Sequence, residues 1–304
     1  MLCGRRLMRY RAPTPRAIVD GVAPRAFPRH HAQANLPRSS CFERAVAQNG
    51  RPVQPIRPAA SVILARDTNP GFEVLMLRRT ADAAFAGGMY VFPGGRVDGD
   101  DHLHVYDALR RGPNERQAAQ QRALGAEWRG FWIAGIRESF EEAGVLLAYD
   151  RRGALLDLAD EPVRARFDDY RHALHDHRTS LDEICRREDL TLAIDRMHFL
   201  NRWITPEGRP RRFDTRFFIA EAPAKQHGRH DEYETVDSLW IKPAAALERH
   251  DRGDFGLMSV THRQLHMLSE FGTMQALHDL MTTAERPFPV NRPVLSPAAL
   301  DSEG

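Results

Sequence analysis

The chain reads as an α+β sandwich, a mixed sheet held between helices. Short apolar runs of strand composition fall in two groups, near residues 60–92 and 199–241, and amphipathic helical sequence follows each group. No stretch approaches about 18 consecutive apolar residues, which excludes a membrane-spanning helix. With 304 residues, 42% hydrophobic and 28% charged, the composition is that of a globular chain with enough apolar material for one large domain.

Residues 60–65 and 73–78 are apolar runs joined by Asp67-Thr68-Asn69-Pro70-Gly71, whose residue types are those of a turn, so two strands are expected. A third short strand is expected at 89–92, stopped by Pro93-Gly94-Gly95. Residues 100–129 are polar, with a helix expected from Asn114 onward, and 133–147 has the periodicity of an amphipathic helix. Residues 160–200 read as mainly helical. Strands are expected at 199–204 and 212–221, around Thr205-Pro206-Glu207-Gly208, and again at 236–241. A helix follows from Pro243, where proline suits the first turn, to about His250. One long final helix is expected over 261–284, and the proline-rich tail 287–304 should be irregular.

Charge is unevenly placed. Residues 1–60 hold eleven arginines against Asp20 and Glu43, whereas the remainder has 39 acidic residues against 32 basic ones. The segment 1–56 is also proline-rich and lacks apolar periodicity, so it is read as a disordered basic extension outside the fold. The folded domain is then 57–286, with insertions at 100–129 and 150–198. Nucleic acid is not the expected partner. The three cysteines, Cys3, Cys41 and Cys185, are scattered and form neither a disulfide framework nor a zinc motif. With the C-terminal Asp301-Ser302-Glu303-Gly304, which is not a Ser-Lys-Leu-type address, this favours a cytoplasmic setting.

The segment that carries chemistry is Arg137-Glu138-Ser139-Phe140-Glu141-Glu142-Ala143-Gly144-Val145. On a helix Glu138, Glu141 and Glu142 fall within an arc of about 100°, opposite Ile133, Ile136, Phe140, Ala143 and Leu147. Three carboxylates this close repel one another, by about 1 kcal/mol per pair in water and about 4 near a protein surface at 4 Å. A hard divalent cation reverses that sign. A Glu-Glu pair on a helix is more often a solvated face; here Gly144 at the natural helix end, the upstream Phe92-Pro93-Gly94-Gly95 loop and the apolar run Val145-Leu146-Leu147 favour the metal reading.

At these residues the chain resembles the Nudix hydrolases, whose box runs Gly, five residues, Glu, seven residues, Arg-Glu-aliphatic-x-Glu-Glu-x-Gly-aliphatic. Arg137, Glu138, Glu141, Glu142, Gly144 and Val145 match its second half and Gly95 its opening glycine. Asp101 stands where the first glutamate is due, about 28 residues are inserted before Arg137, and Ser139 replaces an aliphatic residue. Segments 73–98, Trp203-Ile204-Thr205-Pro206 and 212–218 are similar to the peroxisomal coenzyme A diphosphatase branch. The resemblance implies an α/β/α Nudix sandwich with a helical insertion within the box. It implies Mg²⁺ or Mn²⁺ held by Glu138, Glu141, Glu142 and the Gly95 carbonyl, and an Arg137 that orients a box carboxylate. The implied reaction is hydrolysis of a small-molecule diphosphate, CoA or acyl-CoA giving 3′,5′-ADP and (acyl-)phosphopantetheine. Another diphosphate (NADH, a nucleotide sugar, a dinucleotide polyphosphate) and a non-catalytic Nudix-fold binding module remain alternatives.

Arg78 and Arg79, at a strand end before the glycine loop, are candidate phosphate ligands. Glu232 and Glu234, in a polar loop before the strand at 236–241, are candidate general bases beside Glu138. Asp214 and Arg216 are read as a structural pair, and the spacing of His172, His175 and His177 does not place all three on one helix face. Oligomeric state is not legible.

Overall fold

In the computed structural model the described residues are 55–294, except 84, 85, 232, 284 and 285. The segment 1–54 and the tail from 295 therefore lie outside them, as does Glu232. The chain opens with β1 (Ile56–Asp67), β2 (Phe72–Arg79), β3 (Tyr90–Val91) and β4 (Gly94–Arg96). Next come β5 (Arg110–Arg111), α1 (Ala118–Leu124) and the acid helix α2 (Trp128–Ala143). β6 (Ala148–Tyr149), α3 (Glu161–His175), α4 (Leu181–Glu188) and β7 (Thr191–Ala193) follow. Three longer strands, β8 (Met197–Ile204), β9 (Arg212–Glu221) and β10 (Thr235–Ile241), complete the main sheet. The chain ends in α5 (Pro243–Asp251), α6 (Ser259–Ser269), α7 (Met274–Thr282) and β11 (Val290–Asn291).

The main sheet runs β10-β2-β1-β9-β8-β11, with β3 paired to β2 and β4 to β1, and β5-β7-β6 form a second, small sheet. It is mixed: β1 lies parallel to β9 and antiparallel to β2 and β4. β1 is apolar on both faces because both are covered. Val62 and Leu64 pack toward α2, while Ile63 and Ala65 pack toward α6 and α7. Strand β2 repeats this, with Leu75 and Leu77 on the α2 side and Val74 and Met76 on the other. Helices on both faces make the expected α/β/α sandwich.

Several boundaries differ from expectation, each for a local reason. β1 begins at Ile56 rather than residue 60, because parallel pairing with β9 extends through Ile56↔Arg212. The Gly94-Gly95 pair does not merely stop a strand; it forms one against Ala60 and Ser61. Helix α2 starts at Trp128 and ends at Ala143, so Leu147 is not on it. Gly144 takes φ +64, the Val145 N–H reaches back to the Ser139 carbonyl at 3.1 Å, and Val145, Leu146 and Leu147 then bury in the core. Helix ends at Glu188, so only the first part of 160–200 is helical, and β8 starts at Met197. The final helix is two, because Thr273 caps a new one, its side-chain oxygen accepting the Ala276 N–H at 3.1 Å. In the tail, β11 pairs with β8.

Candidate active site

The acid helix is anchored first by its aromatic face. Phe131, Trp132 and Phe140 are buried beneath the sheet, and the Trp132 indole N–H donates to the Met197 carbonyl at 2.9 Å. Ser139, where the family has an aliphatic residue, is fully buried because its hydroxyl returns to the Gly135 carbonyl at 2.8 Å within the helix.

Arg137 is the hub of the acid face. Its Nε and Nη2 form a fork on the two Asp101 oxygens at 2.9 and 2.8 Å, and Nη2 also donates to the Arg96 carbonyl. Its Nη1 reaches Glu138 at 2.9 Å and Glu141 at 3.3 Å. Burial works against its charge, but Asp101 and the two glutamates outweigh this and hold the guanidinium protonated above its ordinary range. Asp101 thus closes the box from across the insertion. It is buried, and the Asp98 N–H donates to it at 2.8 Å.

Glu138 and Glu142 face the glycine loop. A Cβ on Gly95 would lie 2.5 Å from a Glu138 carboxylate oxygen, so only glycine admits that contact. The Gly94 N–H donates to Glu142 at 2.8 Å. Both carboxylates are buried, and burial pushes both up from the ordinary carboxylate range. For Glu138 the Arg137 guanidinium opposes that rise and Glu141 adds to it; for Glu142 the Glu138 charge adds to it. Glu141 is also pushed up by burial, against the pull of Arg137. Among the described residues no three acid, imidazole or thiol side chains are already drawn together to hold an ion. The acids rest on Arg137, Arg79 and amide groups.

The two phosphate-ligand candidates separate. Arg79 turns toward the acids, 3.9 Å from Glu142 and 3.4 Å from Glu234, and its Nε is buried without a partner. Arg78 turns to the other sheet face, where it lies over the Tyr90 ring and reaches the Gly88 carbonyl, so alternation removes it from the acid site. Glu234 sits at the site's edge with its side chain about half exposed. Two further residues position this edge, and of these Arg171 has no counterpart in the sequence reading. Asp231 accepts the backbone N–H groups of Tyr233, Glu234 and Thr235 and so shapes the turn that carries Glu234. Arg171, on α3, is buried at the C-terminus of α2. It donates to the carbonyls of Glu141 and Glu142 at 2.7 Å each, of Arg229 at 2.9 Å and of His230 at 3.4 Å. An arginine within a helical stretch carries no local mark of such a role. His172 and His175 pack against Tyr233 rather than forming a metal site with His177.

The comparisons with known proteins agree with this geometry. The family described as the NUDT19 Nudix domain matches residues 107–265, more than half of the chain. The chain is 28% identical over 265 residues to acyl-coenzyme A diphosphatase NUDT19 of Gallus gallus, a match covering 73% of this chain and 70% of that one. The Homo sapiens protein of the same name is 29% identical over 268 residues, covering 73% and 71%. A solved Nudix hydrolase from Alicyclobacillus acidocaldarius shares the fold at a TM-score of 0.64 and 23% identity, covering 78% of this chain and 99% of its own. With an Arg137–Asp101 fork at its centre and box acids closing on a glycine loop, the chain belongs to the NUDT19 Nudix domain family and is a Nudix hydrolase.

Proposed function

We propose that the enzyme hydrolyses CoA or acyl-CoA to 3′,5′-ADP and (acyl-)phosphopantetheine, assisted by Mg²⁺ or Mn²⁺. The observation that carries the reading is the burial of Glu138 and Glu142 beside the glycine loop, where Arg137 and Arg79 are the cations that face Glu138, Glu141, Glu142 and Asp101. Similarity to the acyl-coenzyme A diphosphatases supports the substrate class. Carboxylate oxygens beside a backbone carbonyl suit a hard divalent cation, and the lack of a side chain at Gly95 lets the Glu138 carboxylate close on that backbone. Glu138, Glu141, Glu142 and the Gly95 carbonyl would hold the ion. When bound, it supplies neutralisation of the diphosphate charge and acidifies a water.

The chain's own residues do the rest. Arg137, locked by Asp101, fixes the orientation of Glu138 and Glu141. Arg79 has a free buried Nε and only long contacts to Glu142 and Glu234, so it is available to a substrate phosphate oxygen. Glu234, exposed at the edge, is assigned the proton of the attacking water; Glu138 and Glu232 are the other candidates. The P–O–P bridge breaks as the water oxygen joins phosphorus, and the bridging oxygen leaves with one of the two products. A cytoplasmic setting is part of the proposal; no described helix is long and apolar enough to cross a membrane. The test is a panel of CoA, acyl-CoA, NADH, nucleotide sugars and dinucleotide polyphosphates with Mg²⁺ and Mn²⁺, products resolved by mass. Release of 3′,5′-ADP from CoA as the fastest reaction is expected, and faster cleavage of another diphosphate would overturn the substrate.

A further inference from the structure

The α2 side of the sheet holds a second concavity that the acid site does not use. It encloses about 780 Å³ and is lined by Ile56, Phe131 and the arginines Arg202, Arg212, Arg216 and Arg292. That volume is in the range of small-molecule sites. Its charge is unbalanced. Asp214 takes a bidentate pair from Arg202 at 2.7 and 2.6 Å and a second pair from Arg216 at 2.7 Å. The Arg212 side chain is only 7% exposed, its Nε donates to the Thr205 carbonyl, and its carboxylate neighbour Glu207 stands 3.9 Å away with 68% exposure. Arg212 and Arg216, 7% and 11% exposed, and the less sheltered Arg202 at 31% therefore meet one sheltered carboxylate, Asp214, while Glu127 and Glu207 line the concavity from exposed positions. A buried positive surplus is costly unless an anion answers it, and paired arginines fit phosphate oxygens as a fork.

The concavity lies one step from the acids. Ala60 pairs with Gly95 on one side and with Arg216 on the other. Gly95 and Arg216 thus share a rung of three strands, about 10 Å apart, and rung mates point to one face of a sheet. Helix α2 says the same: Phe131 lies under Arg216, 4.0 Å from its guanidinium carbon, and Glu138 meets Gly95 two turns, about 10 Å, further on.

We propose that this concavity binds a second phosphate of the substrate, the 3′-phosphomonoester of CoA, with Arg212 and Arg216 as its cationic contacts. The assignment rests on the CoA reading above. It places a CoA-specific contact on β9, apart from Arg79 at the acid site, and it makes Arg216 more than the partner of Asp214. A 3′-phosphate stands one ribose from the diphosphate, which matches a cationic pocket beside the acids rather than among them.

Two measurements on the full chain test it. By calorimetry, without turnover, the wild type should bind 3′,5′-ADP about 10- to 100-fold more tightly than 5′-AMP, and Arg212→Gln should bring the two within about threefold. In kinetics, the kcat/KM ratio of CoA to 3′-dephospho-CoA should be about 10 to 100 and should fall toward one in the variant. If Arg212→Gln fails to melt cooperatively, Arg292→Gln at the exposed rim decides, with a ratio lowered at least about twofold. Equal wild-type affinity for the two nucleotides, or a preference that survives both substitutions, overturns the assignment. Rapid CoA cleavage without a 3′-phosphate preference overturns the pocket and leaves the CoA reading standing. An Arg212-dependent preference for 3′,5′-ADP in a protein that does not cleave CoA keeps the pocket and overturns the CoA reading.

Discussion

Replacing Arg171 with methionine should both destabilise the protein and slow it. Methionine keeps much of the aliphatic stem and removes the guanidinium. Lost are three hydrogen bonds of 2.7–2.9 Å to the carbonyls of Glu141, Glu142 and Arg229, and the longer one to His230. Each short charged bond is worth about 1.5–3 kcal/mol, and carbonyls left buried add to the loss. Burying the guanidinium is itself unfavourable, and burial holds it below the usual arginine range. The net expectation is therefore about 3–5 kcal/mol rather than the full sum. At about 2–4 °C per kcal/mol for a domain of this size, Tm should fall by about 10 °C in a calorimetric melt. The residue also straps the turn that carries Glu234 to the end of the acid helix, so kcat should drop about tenfold and Arg171→Lys should recover part of both. A Tm within 2 °C of wild type would refute the reasoning, because it would mean that water replaces the arginine at the helix end without cost.

Three further outcomes are expected. Asp101→Ala removes the fork on a buried guanidinium and should cost about 2–4 kcal/mol in urea unfolding and more than tenfold in kcat; Asp101→Glu should retain most of the stability. Burial, aided by His278, Arg286 and Arg196, pushes His198 down to about 4. The unfolded chain then binds a proton that the folded one refuses, so stability is lost as pH falls from about 6.5 toward 4, by about 2 kcal/mol at pH 5, and the difference in Tm between wild type and His198→Asn should shrink or reverse over that range. Deleting residues 1–54, which carry the proline-rich basic sequence, should move Tm by less than about 2 °C; a loss of folded protein would show that the segment packs onto the sheet.

What was legible from sequence is what local pattern encodes. The buried middles of β1 and β2 are continuous apolar runs, β8 and β9 carry apolar and aromatic residues between polar ones, and all four emerge close to where the sequence places them. The acids of α2 were legible because three carboxylates and a terminal glycine share one short helix. The misses are contacts made across the chain. The Asp101–Arg137 fork spans 36 residues, and no window sees both ends. Arg171 caps a helix other than its own. β4 is two glycines and an arginine, with strand character only because Ala60 and Ser61 lie opposite. The break between α6 and α7 rests on the Thr273 cap, one side-chain hydrogen bond inside a stretch expected to be a single helix. Of the cationic face of β9 only the Asp214–Arg216 pair was legible; that Arg202 and Arg292 join it depends on β8 and the tail folding alongside.

The central claim is that the buried acids beside the glycine loop carry the hydrolysis, and Glu142→Gln tests it most directly. The amide is isosteric and its oxygen can still accept the Gly94 N–H, so the fold should persist, with Tm in chelator not lowered by more than about 2 °C. Loss of the carboxylate charge removes about 4 kcal/mol of transition-state stabilisation and should lower kcat on CoA by about 10³ at saturating Mg²⁺. A folded Glu142→Gln enzyme that keeps kcat within threefold of wild type would contradict the account.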